Sequence, residues 1–67
     1  MSRNKELAAA MARDDRFMYQ IAAAATIAPQ VLSRIVGGTF PTNAGQRARL
    51  AEALGVNVDD IFPGGDA

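Results

Sequence analysis

Neither cysteine nor histidine occurs among these 67 residues. Their absence excludes disulfide staples, thiolate chemistry and the Cys/His zinc sites of small finger modules. Ser–His and Cys–His catalytic arrangements go with them. Long apolar runs are missing too: the alanine stretch Ala22 to Ala25 falls far short of the roughly 20 residues that span a bilayer. The opening Met1-Ser2-Arg3-Asn4-Lys5-Glu6 is polar and lacks the apolar core of a secretory leader. The chain therefore reads as soluble and intracellular, with no membrane partner. What is present is 49% hydrophobic against 21% charged residues, the balance of a globular domain rather than a disordered one. An unstapled chain below about 70–80 residues has to be held by efficient helix packing or by association with another copy. A single domain is expected over 1–67, ordered from about residue 4 to 62, with a flexible tail over 63–67.

The formal charge is zero, but it is unevenly spread. All seven Lys and Arg residues lie at or before Arg49, opposed there only by Glu6, Asp14 and Asp15, a net +4. From Leu50 onward Glu52, Asp59, Asp60 and Asp66 contribute −4 with no base to offset them. This is a basic body with an acidic end. Ordinary solvated surface explains such a pattern as well as a polyanionic partner does, so position has to decide.

Alanine, with fourteen copies, is both the commonest residue and the strongest helix former, and no β-branched alternation is sustained. The expected class is all-α with five short helices. The first runs from about Asn4 to Arg13, with Leu7 and Met11 on its buried side. Asp14 and Asp15 offer capping oxygens to a second, from about Arg16 to Ala25. Steps of about 100° put Phe17, Ile21, Ala22 and Ala25 on one face of it and Tyr19, Gln20 and Ala23 on the other. A third helix begins at Pro29, where the missing N–H has no intrahelical acceptor to lose, and ends at Gly37-Gly38. After the loop Thr39-Phe40-Pro41-Thr42, Asn43 and Gln46 form a capping-box pattern that opens a fourth helix through Leu54, closed by Gly55. Asn57 caps a last turn or two from Val58 to Phe62, before Pro63-Gly64-Gly65.

The third helix separates cleanly into two faces. Val31, Leu32, Ile35 and Val36 make one apolar arc, while Gln30, Ser33 and Arg34 cluster opposite at i, i+3 and i+4. An amide, a hydroxyl and a guanidinium side by side, with no carboxylate near in sequence, suit base edges in a major groove: Gln for adenine N6/N7, Arg for guanine O6/N7, Ser for either. A polar outer face on a packed helix is the plainer account of the same pattern. The connection to the preceding helix shifts the balance, because two short helices joined around Thr26-Ile27-Ala28 fit a helix-turn-helix. Ala22 supplies the small side chain where the helices approach, and Ile27 and Leu32 plug the space between them.

The run Ile21-Ala22-Ala23-Ala24-Ala25-Thr26-Ile27-Ala28-Pro29-Gln30-Val31-Leu32-Ser33-Arg34-Ile35 resembles the helix-turn-helix of the lambda-repressor-like, Cro/phage-repressor family. The block Leu50-Ala51-Glu52-Ala53-Leu54-Gly55-Val56-Asn57-Val58-Asp59-Asp60-Ile61-Phe62 resembles that family's fourth and fifth helices, and Gly37-Gly38-Thr39-Phe40-Pro41 its intervening loop. The resemblance covers most of the chain. It implies a compact five-helix DNA-binding domain, a bacterial or phage-encoded cytoplasmic transcription regulator that acts as a homodimer on a double-stranded DNA operator. No cofactor, metal or small-molecule substrate is implied. The second helix of the motif, Pro29 to Val36 here, then lies in the major groove, with Gln30, Ser33 and Arg34 as base contacts. Tyr19, Thr39, Thr42 and Asn43 become candidates for the sugar–phosphate backbone, joined by Arg47 and by Arg3 as an arm along the duplex.

Several positions depart from the family pattern. Met18 stands where many members have a glutamine on the backbone. Thr26 replaces the usual turn glycine, so a left-handed conformation there carries strain. Ala28 replaces a Ser or Thr cap, a loss of about 1 kcal/mol. Arg47 falls on a helix face usually aliphatic and reaches solvent or phosphate instead. Gly45 weakens the fourth helix by about 0.5–1 kcal/mol relative to alanine.

The remaining residues divide between structure and contact. Arg3, Lys5, Arg13 and Arg16 either attract phosphate at long range or simply keep the domain soluble. Phe17, Ile21, Leu50 and Leu54 are expected in the core. Phe40, Ile61 and Phe62 are either buried internally or join a second copy. Asp59 and Asp60 face the positive end of a short helix rather than a metal. No nucleophile–base pair can be written, so the chain is not read as an enzyme. The rival to a DNA-binding regulator is a protein-interaction module of the same fold, for example antitoxin-like or an assembly partner, with weak or no DNA binding.

Overall fold

The computed structural model describes residues 4–63. Arg3 lies outside them, as does the expected tail apart from Pro63. Five helices follow in order: α1 (Lys5–Arg13), α2 (Met18–Ala24), α3 (Pro29–Gly37), α4 (Ala44–Leu54) and α5 (Val58–Ile61).

Local signals account for most of the boundaries. At the start of α4 the Asn43 Oδ1 accepts the Gln46 N–H at 2.8 Å while Gln46 Oε1 accepts the Asn43 N–H at 3.1 Å, a complete capping box. Ala28 precedes α3 without a side-chain cap, and Pro29 takes the first helical position. Asn57 opens α5, its N–H bonded to Asp60 Oδ2 at 3.0 Å. Three helices end in the same way. After α3, Gly38 (φ 80°) turns left-handed and the next N–H reaches back to the Arg34 carbonyl; after α4, Gly55 (φ 70°) does so and Val56 N–H reaches Ala51. After α2 the left-handed residue is Thr26 (φ 57°), with Ile27 N–H bonded to the Ala22 carbonyl at 2.9 Å. All three are the closure in which a left-handed residue lets the following N–H satisfy a carbonyl one turn back. Thr26 is the one among the described residues that adopts it with a β-branched side chain.

The start of α2 differs from the sequence expectation. Asp14 and Asp15 do not cap it. Asp14 instead accepts the backbone N–H, Nε and Nη2 of Arg16 at 2.9, 2.9 and 2.8 Å. These bonds hold the Asp14 carboxyl down at about 2, with the Arg16 side-chain hydrogen bonds as the largest cause. Arg16 Nη2 also donates to the Ala53 carbonyl near the end of α4, so the α1–α2 bend is tied across the molecule. The residue preceding α2 is Phe17, whose N–H is taken by Gln20 Oε1 at 2.8 Å.

Every helix supplies at least one side chain to a shared core. Leu7, Ile21, Leu32, Ile35, Leu50 and Ile61 are fully enclosed, joined by Ala22, Ala25, Ile27 and Phe62. Burying such an aliphatic side chain contributes about 1.5–3 kcal/mol. α2 packs on α3 and α4, α1 on α3 and α5, and α4 on α5. Ala22, with no exposed surface, permits the close α2–α3 approach. Leu54 and Phe40 are half-buried against the core, and Ile61 and Phe62 are internal. Phe17 is a correction: expected in the core, it is 69% exposed. The helix begins at Met18 rather than Arg16, so Phe17 has extended backbone (φ −72°, ψ 159°) and leaves the face that carries Ile21.

Candidate nucleic-acid interface

The α2–turn–α3 unit positions one polar helix face. Leu32, Ile35 and Val36 are buried and Val31 is half-buried, so the rotation of α3 about its axis is set by its apolar arc. The Asn4 N–H bonds the Val36 carbonyl at 3.0 Å and anchors the far end of α3 to the start of α1. With that rotation, Gln30, Ser33 and Arg34 are all exposed.

The stretch of chain that carries this face has charge of one sign. From Arg16 to Ala51 the sequence contains four arginines and no acidic residue. Three of the four are engaged by the fold. Arg16 is held by Asp14 and Ala53. Arg47 Nη1 donates to the Thr42 carbonyl at 2.8 Å and to Thr42 Oγ1 at 3.3 Å. Arg49 Nε donates to the Ala25 carbonyl at 2.9 Å, which pins α4 against the turn of the motif. Among the described residues the guanidinium of the fourth, Arg34, is exposed and has no intramolecular hydrogen bond or ion pair. An exposed guanidinium beside an amide and a hydroxyl, on a rigidly packed helix, is a donor array suited to nucleobase edges.

The other candidate residues fall into two groups. Thr39, Thr42, Asn43 and Arg47 lie together between α3 and the first turn of α4. Thr39 is exposed and its hydroxyl donates to the Arg34 carbonyl at 3.3 Å. Thr42 and Arg47 are joined as above, and Asn43 spends its Oδ1 on the cap, leaving Nδ2 as its donor. Tyr19, 60% exposed, lies at the start of α2 and stacks on Phe17, ring centroids 5.9 Å apart and 9° from parallel.

Two contributions were invisible to sequence reasoning. Arg49 to Ala25 and Arg16 to Ala53 join residues 24 and 37 positions apart, and no local spacing announces either bond. Gly45 gains a local explanation: a Cβ there would stand 3.2 Å from Arg49 Nη1 and 3.3 Å from the capping Asn43 Oδ1. Among the described residues no helix is long and apolar enough to cross a membrane.

No family model and no curated protein matches the chain. Among solved structures, the solution structure of the SOS-response transcriptional repressor LexA from Eubacterium rectale superposes with a TM-score of 0.79 at 21% sequence identity. The alignment covers 87% of this chain and 62% of that one, so this chain spans less than two thirds of its neighbour's length. At that identity the likeness is one of fold: an all-helical arrangement that contains a helix-turn-helix.

Proposed function

We propose that this chain is a sequence-specific, double-stranded-DNA-binding transcriptional regulator of Cro/repressor type that works as a homodimer in the cytoplasm. α3 enters the major groove and presents Gln30, Ser33 and Arg34 to base edges. Thr39, Thr42, Asn43 and Arg47 hold the adjoining sugar–phosphate backbone and fix the register. The observation that carries this reading is the exposed, acid-free Gln30–Ser33–Arg34 face, on a helix whose opposite side is buried. The fold shared with a transcriptional repressor is consistent with it. No catalytic step and no cofactor belong to the reading. Two coupled copies combine contacts that are few in a single one, and a two-fold protein places its half-sites about one helical turn, roughly 34–36 Å, apart.

The test is duplex binding as a function of salt. A groove binder loses affinity linearly on a log–log plot, with a slope near −0.9 for each phosphate neutralised. A second reading, a protein-interaction module of the same fold, is favoured by one observation: Met18, where the family resemblance implies a backbone-binding glutamine, lies in an exposed apolar run. No duplex binding even at low salt selects that reading over the first.

A further inference from the structure

The turn between α2 and α3 contains a carbonyl that the local backbone leaves unpaired. Ala25 closes α2 and is fully buried. A continuing helix would offer the Ala25 carbonyl the N–H four residues on, but that residue is Pro29, which has none. Thr26 then turns left-handed, and Ala28 leads into α3 without a side-chain cap. The hydrogen bond that the Ala25 carbonyl accepts comes from another helix, from Arg49 Nε on α4 at 2.9 Å. A cationic donor at the end of α2 also meets the negative pole of that helix. The start of α4 makes room for this side chain. Gly45 lies one turn before Arg49, and a Cβ there would stand 3.2 Å from Arg49 Nη1 and 3.3 Å from Asn43 Oδ1. Both atoms are tethered, since Arg49 is tied to Ala25 through Nε and Asn43 Oδ1 holds the Gln46 N–H. A glycine that helix propensity disfavours thus accommodates the arginine that crosses it.

We infer that Arg49 is a positioning residue for sequence discrimination, with Gly45 acting through it; the inference rests on the DNA reading above. Thr42, Asn43 and Arg47, assigned there to the sugar–phosphate backbone, stand at the start of the helix that carries Arg49. The turn that Arg49 grips leads into Pro29 and the Gln30–Ser33–Arg34 face. One hydrogen bond therefore ties the backbone-holding group to the base-reading helix. Backbone contacts carry no sequence information; they set the register in which base contacts are made. Hydrogen bonds to base edges weaken steeply with misalignment, whereas the attraction of a guanidinium to phosphate changes slowly with distance. Loosening this joint costs discrimination and spares general attraction to the duplex. The role calls for arginine rather than any cation, because lysine has a carbon at the point where arginine carries Nε.

The test compares wild type, Arg49→Lys and Gly45→Ala on a duplex selected from random sequence and on an unrelated duplex. It is run at a temperature where circular dichroism shows each protein fully folded. Arg49→Lys keeps the charge, so affinity for the unrelated duplex and its salt slope should stay at the wild-type values. The ratio of affinities for the two duplexes should fall about tenfold. Gly45→Ala should lower the same ratio in wild type and have little further effect beside Arg49→Lys, where no anchored guanidinium is left to displace. In the free chain, Arg49→Lys should move the backbone amide shifts of Ala25 to Ala28 as well as those of α4. An Arg49→Lys ratio equal to wild type overturns the inference, as do shift changes confined to α4. Equal weakening on both duplexes overturns it too, because Arg49 is then a phosphate contact. If Arg49→Lys does not fold, an unchanged ratio in Gly45→Ala overturns it instead. Wild type that binds no duplex overturns the DNA reading and the role of Arg49 with it; wild type and Arg49→Lys that discriminate alike overturn this inference alone.

Discussion

Thr26 shows how one side chain can stand against its own backbone preference. Its φ of 57° is the left-handed value that Gly38 and Gly55 supply at the other two helix ends without steric cost. A β-branched residue held there carries about 1–3 kcal/mol of strain. Its side chain is exposed, so little packing is lost on removing it. Thr26→Gly is therefore expected to raise stability by about 1 kcal/mol after the flexibility of glycine in the unfolded chain is allowed for, read as a higher denaturant midpoint. A lower midpoint would show that Thr26 is anchored by something other than geometry. The departure from glycine was legible through the family resemblance, which implies a turn glycine at this position, and the left-handed φ bears out the strain expected there. The place of Phe17 was not legible. Its spacing to Ile21 matches a helix face, but the face exists only if the helix includes it, and Asp14 is drawn toward Arg16 instead of capping the helix start.

At the scale of elements, the ends of α3 and α4 follow from signals a few residues long: Pro29, the Asn43–Gln46 pair, Gly38 and Gly55. Asn43→Ala is expected to cost about 0.5–2 kcal/mol, since it leaves the Gln46 N–H without its acceptor; chemical denaturation measures it, and an unchanged midpoint contradicts the role. The joint between α1 and α2 should respond to acid. Asp14 binds its proton less readily in the folded chain, at about 2 against an ordinary 3.8. Its contribution is thus complete above pH 3.8 and is lost as pH falls through about 2. Wild type should lose stability over that window more steeply than Asp14→Asn, compared by urea midpoints at each pH. Identical slopes would remove Asp14 from the account. No sequence pattern indicated this joint, because Arg16 reaches an α4 carbonyl that only the completed fold brings near.

For the molecule as a whole, the sequence showed five helices, their order and an uneven charge, while the disposition of its last apolar residues awaited the fold. Ile61 and Phe62 are buried because α1 and α4 converge on a four-residue α5, which is a tertiary fact. Their burial removes them as candidates for a contact with a second copy. The candidate base contacts were legible because amphipathicity fixes which side of α3 points outward. Which arginines the fold itself occupies was not; among the four from Arg16 to Ala51, that distinction leaves Arg34 as the guanidinium without an intramolecular partner.

The measurement that bears most directly on this account is the affinity of wild type and Arg34→Ala for a duplex selected from random sequence, alongside variants of it at each base pair. Preference at one base pair should relax, with a loss of about 1–3 kcal/mol on the selected duplex and little change on the others. Equal weakening on every sequence would make Arg34 a phosphate contact and contradict the claim that α3 reads bases.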